Sequence, residues 1–375
     1  MREELLALLA ELVAIPSTYP PGDMSRIAVH CAAFLSRLGF SVEQIGGNVV
    51  ARLGSARPSV VFNAHADTVD VGEHSGWRTD PFRATLVDAR VYGLGACNCK
   101  SSMAVHLWLA REIARRGGPK RGELVLTFVG DEENLGPNGL FRLRETGAVK
   151  PDLLVVAAQT RNRLVLEERG VMWVRVTTRG KAAHAGAPHT GDSAIVRMQD
   201  VISALHRLPA RTSPSGQKST LSVGRIRGGE NINVVPEQCV IELDRRILPQ
   251  DHFDSAFEEV KDTAIRSGAA TVELLTGTPG FSAPEDGAGA KAFADAIRSV
   301  TGKAPERLNV VGASDARYFA RDAIEILVTG PGDGADSHIP NEFVLLDELV
   351  EAASIQLAAL DRLLGIRGQD GQDKN

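Results

Sequence analysis

The sequence predicts an α/β protein interrupted by an inserted α+β domain. Helical and strand-like stretches alternate from residue 1 to about 165, a βαββαβ order follows over about 171–282, and an α/β pattern returns from about 287 to 364. Alternating helices and buried strands are typical of a sheet covered by helices. A chain of 375 residues is also long enough for two domains. We therefore expect one domain at 1–168 and 284–375, and a second at 169–283.

Helices and buried strands alternate in the first part of the chain. Apolar residues at helical spacing predict helices at about 2–14 and 24–38, and the stretch MAVHLWLAREIARR predicts a third. Apolar runs ending in polar residues predict buried strands in SVVFNAHADTV, ELVLTFVGDEEN and DLLVVAAQT. Ligands of open α/β sheets collect beyond the carboxyl ends of the strands. The residues expected there are His65, Asp67, Asp131, Glu132 and Glu133.

The inserted part reads as a separate fold. Strands are predicted in VMWVRVTTRG, STLSVGRIRGG, CVIELDRRILP and ATVELLTGTPG, and helices in SAIVRMQDVISALHRL and FDSAFEEVKDTAIRSG. Their βαββαβ order predicts a ferredoxin-like α+β unit. After it, helices are predicted at about 287–301 and 346–364, with a strand near 324–329.

Composition and charge exclude several classes of partner. The net charge is -5 and no basic block stands out, which argues against nucleic acid. No stretch approaches the roughly 18 apolar residues of a membrane span. Acidic residues in the N-terminal helix argue against a signal peptide. Four cysteines do not make a disulfide framework. We expect a cytoplasmic protein without nucleic-acid or membrane partners.

Several polar residues at the predicted strand ends suit metal or acid–base chemistry. His65 and Asp67 lie on the same side of an extended strand, where a carboxylate can orient a ligating imidazole. The adjacent acids Glu132 and Glu133 can divide the roles of general base and metal ligand. Each pattern alone is weak evidence. Paired acids are often only solvent-exposed side chains at a strand end, and a loop histidine such as His338 is usually a surface residue.

In combination these motifs are far more specific. In order they are HxD, WxxDPF, GxGxxNxK from Gly93 to Lys100, DEE, RGKAAHAGAPHTGDSA, GGENINVVPE, DRRILP, SDAR and PGDGADSHIPNE. This series resembles the M20 metallopeptidase family of aminoacylases, acetylornithine deacetylases, succinyl-diaminopimelate desuccinylases and glutamate-releasing carboxypeptidases, over nearly the whole chain. The resemblance implies a zinc-peptidase-like catalytic domain with a mixed sheet, and a smaller lid domain that often mediates dimerisation.

The resemblance also implies roles for residues of the catalytic domain. His65, Glu133 and His338 match metal ligands of the family. Asp67 matches the acid that orients the ligating histidine, and Glu132 matches the general base that activates water.

Four further residues match positions that act on the substrate. His184 matches a lid histidine that stabilises the tetrahedral oxyanion, often across a dimer interface. Asn233 and Arg246 match substrate contacts, and the forked guanidinium suits a substrate carboxylate. Gly332 matches the loop that lines the substrate pocket. We therefore expect a small carboxylate-bearing substrate, and the resemblance is compatible with a homodimer formed through the lid domain.

Two departures from the family pattern affect the metal site. The family loop reads GRGxxDxK, with an aspartate that bridges two metal ions, but here Asn98 holds that position and Leu94 replaces the arginine. The strand DLLVVAAQT has Ala158 where the family has an acidic metal ligand. Two close dications with one carboxylate would leave a large uncompensated charge. We expect zinc or another divalent metal, at most one per chain, held by Glu133, His338 and Asn98, or none.

The neighbours of the substituted positions leave alternatives open. Cys97 and Cys99 flank residue 98 and should point away from it in an extended loop, so buried thiols are expected rather than metal ligands. Gln159 and the residues after it either reshape the pocket floor or lie exposed.

Three functions are compatible with this sequence. The first is an M20-like amidohydrolase acting on an N-acyl amino acid or related carboxylate-bearing amide, with Glu132 as base. The second is an enzyme of altered chemistry, such as acyl transfer or amide formation, with one metal or none. The third is a non-catalytic ligand-binding protein. The losses concentrate on one metal position, whereas the base Glu132, the lid histidine His184 and the arginine Arg246 remain. This pattern favours retained chemistry, and we predict the hydrolase.

Overall fold

The computed structural model describes residues 1–309 and 312–366. No helix in these two ranges is both long and apolar enough to cross a membrane. The α-helices, in chain order, are α1 Arg2–Val13, α2 Ser25–Arg37, α3 Lys100–Arg115, α4 Leu140–Glu145, α5 Ala194–His206, α6 Phe253–Arg266, α7 Ala288–Thr301 and α8 Leu346–Leu364.

The strands are mostly short, and the longest lie in the inserted segment. In chain order they are β1 Ser41–Ile45, β2 Asn48–Gly54, β3 Ser59–His65, β4 Thr85–Val87, β5 Arg90–Tyr92, β6 Glu123–Val129, β7 Leu153–Val156, β8 Glu167–Glu168, β9 Gly170–Arg179, β10 Ala183–His184, β11 Thr220–Gly228, β12 Val234–Val235, β13 Gln238–Ile247, β14 Thr271–Thr278, β15 Phe281–Ser282, β16 Glu325–Val328 and β17 Phe343–Leu345.

The chain divides into two compact units. The first contains Met1–Leu166, Ala283–Leu308 and the described residues from Ser314 onward, and the second contains Glu167–Ser282 together with Asn309, Gly312 and Ala313. The sequence predicts that these last three residues, together with Glu167 and Glu168, belong to the catalytic domain and that Ala283 belongs to the second domain, whereas the structure groups each of them with the other unit. The Asn309 side chain donates a hydrogen bond to the Ser215 carbonyl oxygen at 3.2 Å, a contact that sequence spacing does not reveal.

The first unit contains the predicted α/β domain with a mixed sheet. Six strands lie in the order β1-β2-β6-β3-β7-β16. The last four are parallel to one another, and β1 and β2 run antiparallel at one edge. Every residue of β3 is buried, as its continuous apolar run predicts. His65 at the end of β3 pairs with Val129 at the end of β6, so the residues that follow both strands meet at the carboxyl ends of the parallel strands.

Helices with one apolar face cover this sheet. Leu5, Leu9 and Leu12 of α1 are fully buried in the same core cluster as Leu107 of α3 and Leu360 of α8. Each fully buried leucine contributes about 1.5–3 kcal/mol relative to an exposed one. The helix α3 begins directly after the Gly93–Cys99 loop, so this packing fixes where the loop ends.

The second unit is the predicted ferredoxin-like α+β fold. Four antiparallel strands lie in the order β11-β13-β9-β14, and α5 and α6 pack on one face through a separate core cluster. Burial alternates along β13: Arg245 is buried on the helix side, and Arg246 is only partly buried on the opposite, open face. The short strands β10 and β12 pair beside this sheet.

Candidate active site

His65 and Asp67 form an oriented pair at the end of β3. The His65 Nδ1 atom lies 3.0 Å from the Asp67 backbone oxygen and 3.4 Å from Asp67 Oδ1. Both oxygens only accept hydrogen bonds, so Nδ1 carries a proton and Nε2 faces the site. Asp67 Oδ2 accepts a hydrogen bond from the Glu133 backbone at 3.0 Å. Asp67 therefore fixes the imidazole of His65 and the loop after β6 together.

Glu132 lies between a histidine and a buried arginine. Its Oε2 atom is 4.0 Å from His65 Nε2, and its Oε1 atom is 3.4 Å from an Arg317 guanidinium nitrogen. Burial raises the pKa of Glu132 to about 7, although His65 and Arg317 both favour the charged form. A carboxyl group that titrates near neutrality is well suited to take and return a proton.

Glu133, His338 and Asn98 form a tight triangle of side-chain atoms. His338 Nε2 and Glu133 Oε1 are 2.9 Å apart, and Asn98 Nδ2 lies 2.9 Å from each of them. The hydrogen bond to Glu133 raises the pKa of His338. The structure thus brings together the three residues that the sequence predicted as ligands of a single metal.

Asn98 also contacts the other side of the site. Its Oδ1 atom is 2.8 Å from His65 Nε2 and accepts a hydrogen bond from Gln159 Nε2. The Asn98–Cys99 peptide bond is cis. Gln159 therefore contacts the candidate site. Of the two alternatives that the sequence leaves open, a residue of the pocket or an exposed residue, the structure favours the first.

Glu342 holds the Asn98 loop in place, and sequence reasoning gave it no role. Its buried carboxylate accepts hydrogen bonds from the backbone N–H groups of Gly95, Cys97 and Asn98 at 3.0, 2.9 and 2.7 Å. The only sequence signal is its place at the end of the SHIPNE motif. Three donors on one buried carboxylate make Glu342 the main polar anchor of this loop.

We expect Glu342→Gln to lower the free energy of unfolding by about 1–3 kcal/mol, because the new amide group turns one acceptor into a donor that faces backbone N–H groups. Urea denaturation followed by fluorescence measures the change. The exposed Glu3→Gln in α1 serves as the control and should leave the midpoint unchanged. Equal midpoints for both variants would show that Glu342 does not anchor the loop.

Arg317 and Asp315 belong to the site, and sequence reasoning assigned them no function. Both come from the SDAR motif and are buried. Their charged groups are 3.6 Å apart, and Asn63 donates a hydrogen bond to Asp315 at 3.1 Å. Arg317 therefore places a fixed positive charge beside Glu132, held in position by Asp315.

The cysteines of the loop do not join the metal-binding side chains among the described residues. The Cys97 thiol lies 3.4 Å from the Asp333 carbonyl oxygen, and burial raises the pKa of both Cys97 and Cys99. Gly332 packs on Cys97: its φ is +89°, and a Cβ atom there would lie 2.5 Å from the sulfur. Only glycine fits this position at the site.

The lid residues lie in the second unit. His184 in β10 pairs with Val234 in β12, so Asn233 lies next to this pair, and its backbone oxygen accepts a hydrogen bond from Ala185 at 2.9 Å. His184 and Asn233 are both exposed. Arg246 lies on the open face of the sheet, where its Nε atom donates to Asp244 at 2.8 Å. The structure brings His184 and Asn233 together, and it places Arg246 on the separate strand β13.

The donor atoms do not match the bridged metal pair that the resemblance implies. His65, Glu132 and Glu133 each offer a ligand atom within 4.8 Å of the others. However, residue 158 has a methyl side chain, and the bridging position is a neutral amide. The triangle of Glu133, His338 and Asn98 does fit a single ion, provided that the amide presents its oxygen. Its three ligand atoms come from three separate loops.

Comparison with known proteins agrees with this fold. The model of peptidase family M20/M25/M40 matches residues 61–362. A succinyl-diaminopimelate desuccinylase from Rhodospirillum centenum is 28% identical over 384 residues, covering 96% of this chain and 98% of that protein.

Solved structures show the same fold. An M20 family metallo-carboxypeptidase from Sulfolobus solfataricus superposes with a TM-score of 0.80 at 18% identity, covering 97% of this chain and 100% of that one. A dinuclear metal-binding M20 peptidase from Bacillus subtilis gives a TM-score of 0.72 at 16% identity, covering 98% and 99%. The chain, with its paired acids after β6 and His65 at the end of β3, therefore belongs to peptidase family M20/M25/M40 and is a hydrolase of amide bonds.

Proposed function

We propose that this protein hydrolyses an N-acyl amino acid or a related carboxylate-bearing amide, with at most one bound divalent ion. The observation that carries the proposal is the division of the two consecutive acids after β6. Glu132 faces His65 and Arg317, whereas Glu133 faces His338 and Asn98. One acid is thus free for proton transfer, and the other belongs to the ligand triangle.

The side chains have separate tasks in this reaction. Glu132 takes a proton from the attacking water and returns it to the amine that leaves, so that the amide and water give a carboxylate and an amine. Glu133, His338 and Asn98 would hold the ion, which supplies Lewis acidity and lowers the pKa of water. In the lid, His184 would donate to the oxyanion, and Arg246 with Asn233 would bind the substrate carboxylate.

The acyl group is proposed from the relatives. A relative that matches nearly the full chain is named for removing a succinyl group from a diamino acid. N-succinyl and N-acetyl amino acids therefore head the list of substrates to test. The assay incubates the zinc-supplied protein with this panel and measures the released amine by mass spectrometry. Release that Glu132→Gln removes supports the proposal, and no release from any member contradicts it.

We expect Arg246→Lys to raise KM by about 10-fold to 100-fold while kcat stays within a few-fold of wild type, because a lysine cannot bind a carboxylate bidentately. Steady-state kinetics on the best panel substrate measure both constants. The control is Arg225→Lys, on strand β11 of the same unit, where the arginine pairs with Glu242 at 2.8 Å. An equal KM in the two variants would place the carboxylate elsewhere.

A second candidate is acyl transfer to an amine in place of water. It is favoured by the loss of two anionic metal ligands, at Asn98 and Ala158, since a weaker metal site activates water less strongly. Adding a series of amines to the hydrolysis assay tests it, because transfer gives a new amide without releasing the free acid. A new amide formed faster than the acid would make transfer the main reaction.

A homodimer through the lid domain is also part of this proposal. The edge strand β11 is mostly exposed along its length in the second unit, which leaves backbone groups able to pair with another strand. Light scattering on the purified chain measures the oligomeric state. A monomer at micromolar concentration would exclude a dimer as the working form.

A further inference from the structure

The ligand triangle contains a contact that hydrogen atoms alone cannot satisfy. Its three edges are all 2.9 Å, and its corners are Asn98 Nδ2, Glu133 Oε1 and His338 Nε2. If His338 Nε2 carries a proton, it can donate to Glu133 but faces another donor on Asn98. If it carries none, it accepts from Asn98 but turns a lone pair toward the carboxylate of Glu133. One edge is therefore repulsive in either state.

A half-turn of the Asn98 carboxamide together with a bound cation removes this conflict, because the cation satisfies the acceptor atoms that then face one another. The turn places Oδ1 at the corner beside Glu133 and His338, so that three lone pairs converge, which is the number of protein ligands usual for one catalytic zinc ion. The Nδ2 group then faces His65 Nε2, which accepts when the imidazole carries its single proton on the Asp67 side. The neighbours of an amide decide its orientation, so the turned Asn98 needs a further neighbour that accepts a hydrogen bond from Nδ2.

Gln159 is that neighbour. It contacts the same Asn98 atom as His65, on the side opposite the triangle. In the structure its Nε2 atom donates to Asn98 Oδ1, and a half-turn of its own carboxamide would let its oxygen accept from Asn98 Nδ2 instead. It directly follows Ala158, the position that lacks a metal-binding acid, and its side chain lies next to Gly332. Gln159 therefore borders the position where the family resemblance implies an acidic metal ligand.

We propose that Gln159 is a positioning residue that holds the Asn98 oxygen toward a single divalent cation shared with Glu133 and His338. In this role, the side-chain amides of Asn98 and Gln159 take the place of the bridging carboxylate and of one of the two metal ions that the family resemblance implies. The inference rests on the one-ion site of the proposed function, but it concerns cation binding and not the reaction.

Zinc titration of the metal-free, full-length protein tests this role. Isothermal titration calorimetry gives the stoichiometry and Kd, and elemental analysis gives the bound metal. We expect one equivalent in wild type. Gln159→Met should weaken zinc binding by about 10-fold to 100-fold, because it removes the partner of Asn98 at similar side-chain length. The melting temperature of the metal-free Gln159→Met protein should stay at the wild-type value, which separates positioning from folding.

Gln159→Glu is the rescuing variant. A carboxylate only accepts hydrogen bonds, so it forces Asn98 Nδ2 toward itself and Oδ1 toward the ion, and zinc should bind at least as tightly as in wild type. The control is Gln199→Met on the exposed face of α5, which should not change Kd.

Four results would overturn the inference: an unchanged Kd in Gln159→Met, weakened binding in Gln159→Glu, two zinc equivalents in wild type, or none. Absence of amide hydrolysis in protein that holds one zinc would refute the proposed function and leave the role of Gln159 intact. Hydrolysis by protein that binds no zinc would leave the proposed function intact and refute the role of Gln159.

Discussion

Replacing Glu132 with glutamine is expected to lower kcat for amide hydrolysis by about 10²-fold to 10⁴-fold. Glutamine has nearly the shape of glutamate, so it can keep the contact with Arg317, but it cannot accept a proton from water. Burial raises the pKa of Glu132 to about 7, so this carboxyl suits the task. Initial rates of amine release under saturating substrate give the change in kcat.

Two comparisons make this result specific to proton transfer. Zinc content should stay at the wild-type value in Glu132→Gln, because the proposed ligands are untouched. Glu145→Gln, at the exposed end of α4, should retain full activity. A Glu132→Gln protein that hydrolyses within a few-fold of wild type would assign the base to another residue. Lost activity together with lost zinc would mean that Glu132 acts as a ligand.

The second large effect is expected from restoring the acidic ligands. The double variant Asn98→Asp with Ala158→Glu should bind two zinc ions per chain where wild type binds one. The aspartate offers two anionic oxygens beside His65 and Glu133, and the glutamate adds a carboxylate at the end of β7. Together they provide the negative charge that two close dications require.

Elemental analysis after dialysis against micromolar zinc measures this gain. Each single variant serves as a control. Either acid alone leaves the metal position beside His65 with too few ligands, so neither single variant should bind two zinc equivalents. If the double variant still binds one zinc, the substituted positions are not what limits the metal count. Two zinc equivalents in the wild-type protein would contradict a site that holds at most one ion.

Much of the fold follows from patterns within short stretches of sequence. The periodic apolar residues of α1 and α8 and the continuous apolar run of β3 predict these elements because each buries a face defined by its own sequence. The ferredoxin-like unit follows from element order alone. The grouping of Asn309 with the second unit was not predictable, because it depends on a contact with Ser215, a residue far away in sequence.

The candidate site was predictable as a set of residues but not as a network. The sequence identifies Asn98 as a substitution, yet its four partners come from separate strand ends and loops, and nothing local to it specifies them. Glu342 and Arg317 were missed for the same reason. Glu342 acts on backbone groups about 245 residues away, and Arg317 reaches Glu132 across 185 residues.

The most direct test of the central claim is a zinc titration of metal-free protein with hydrolysis recorded at each addition. The rate of amine release should rise linearly with added zinc and reach its plateau at one zinc equivalent per chain. A plateau at two equivalents would contradict an amidohydrolase that works with at most one bound ion.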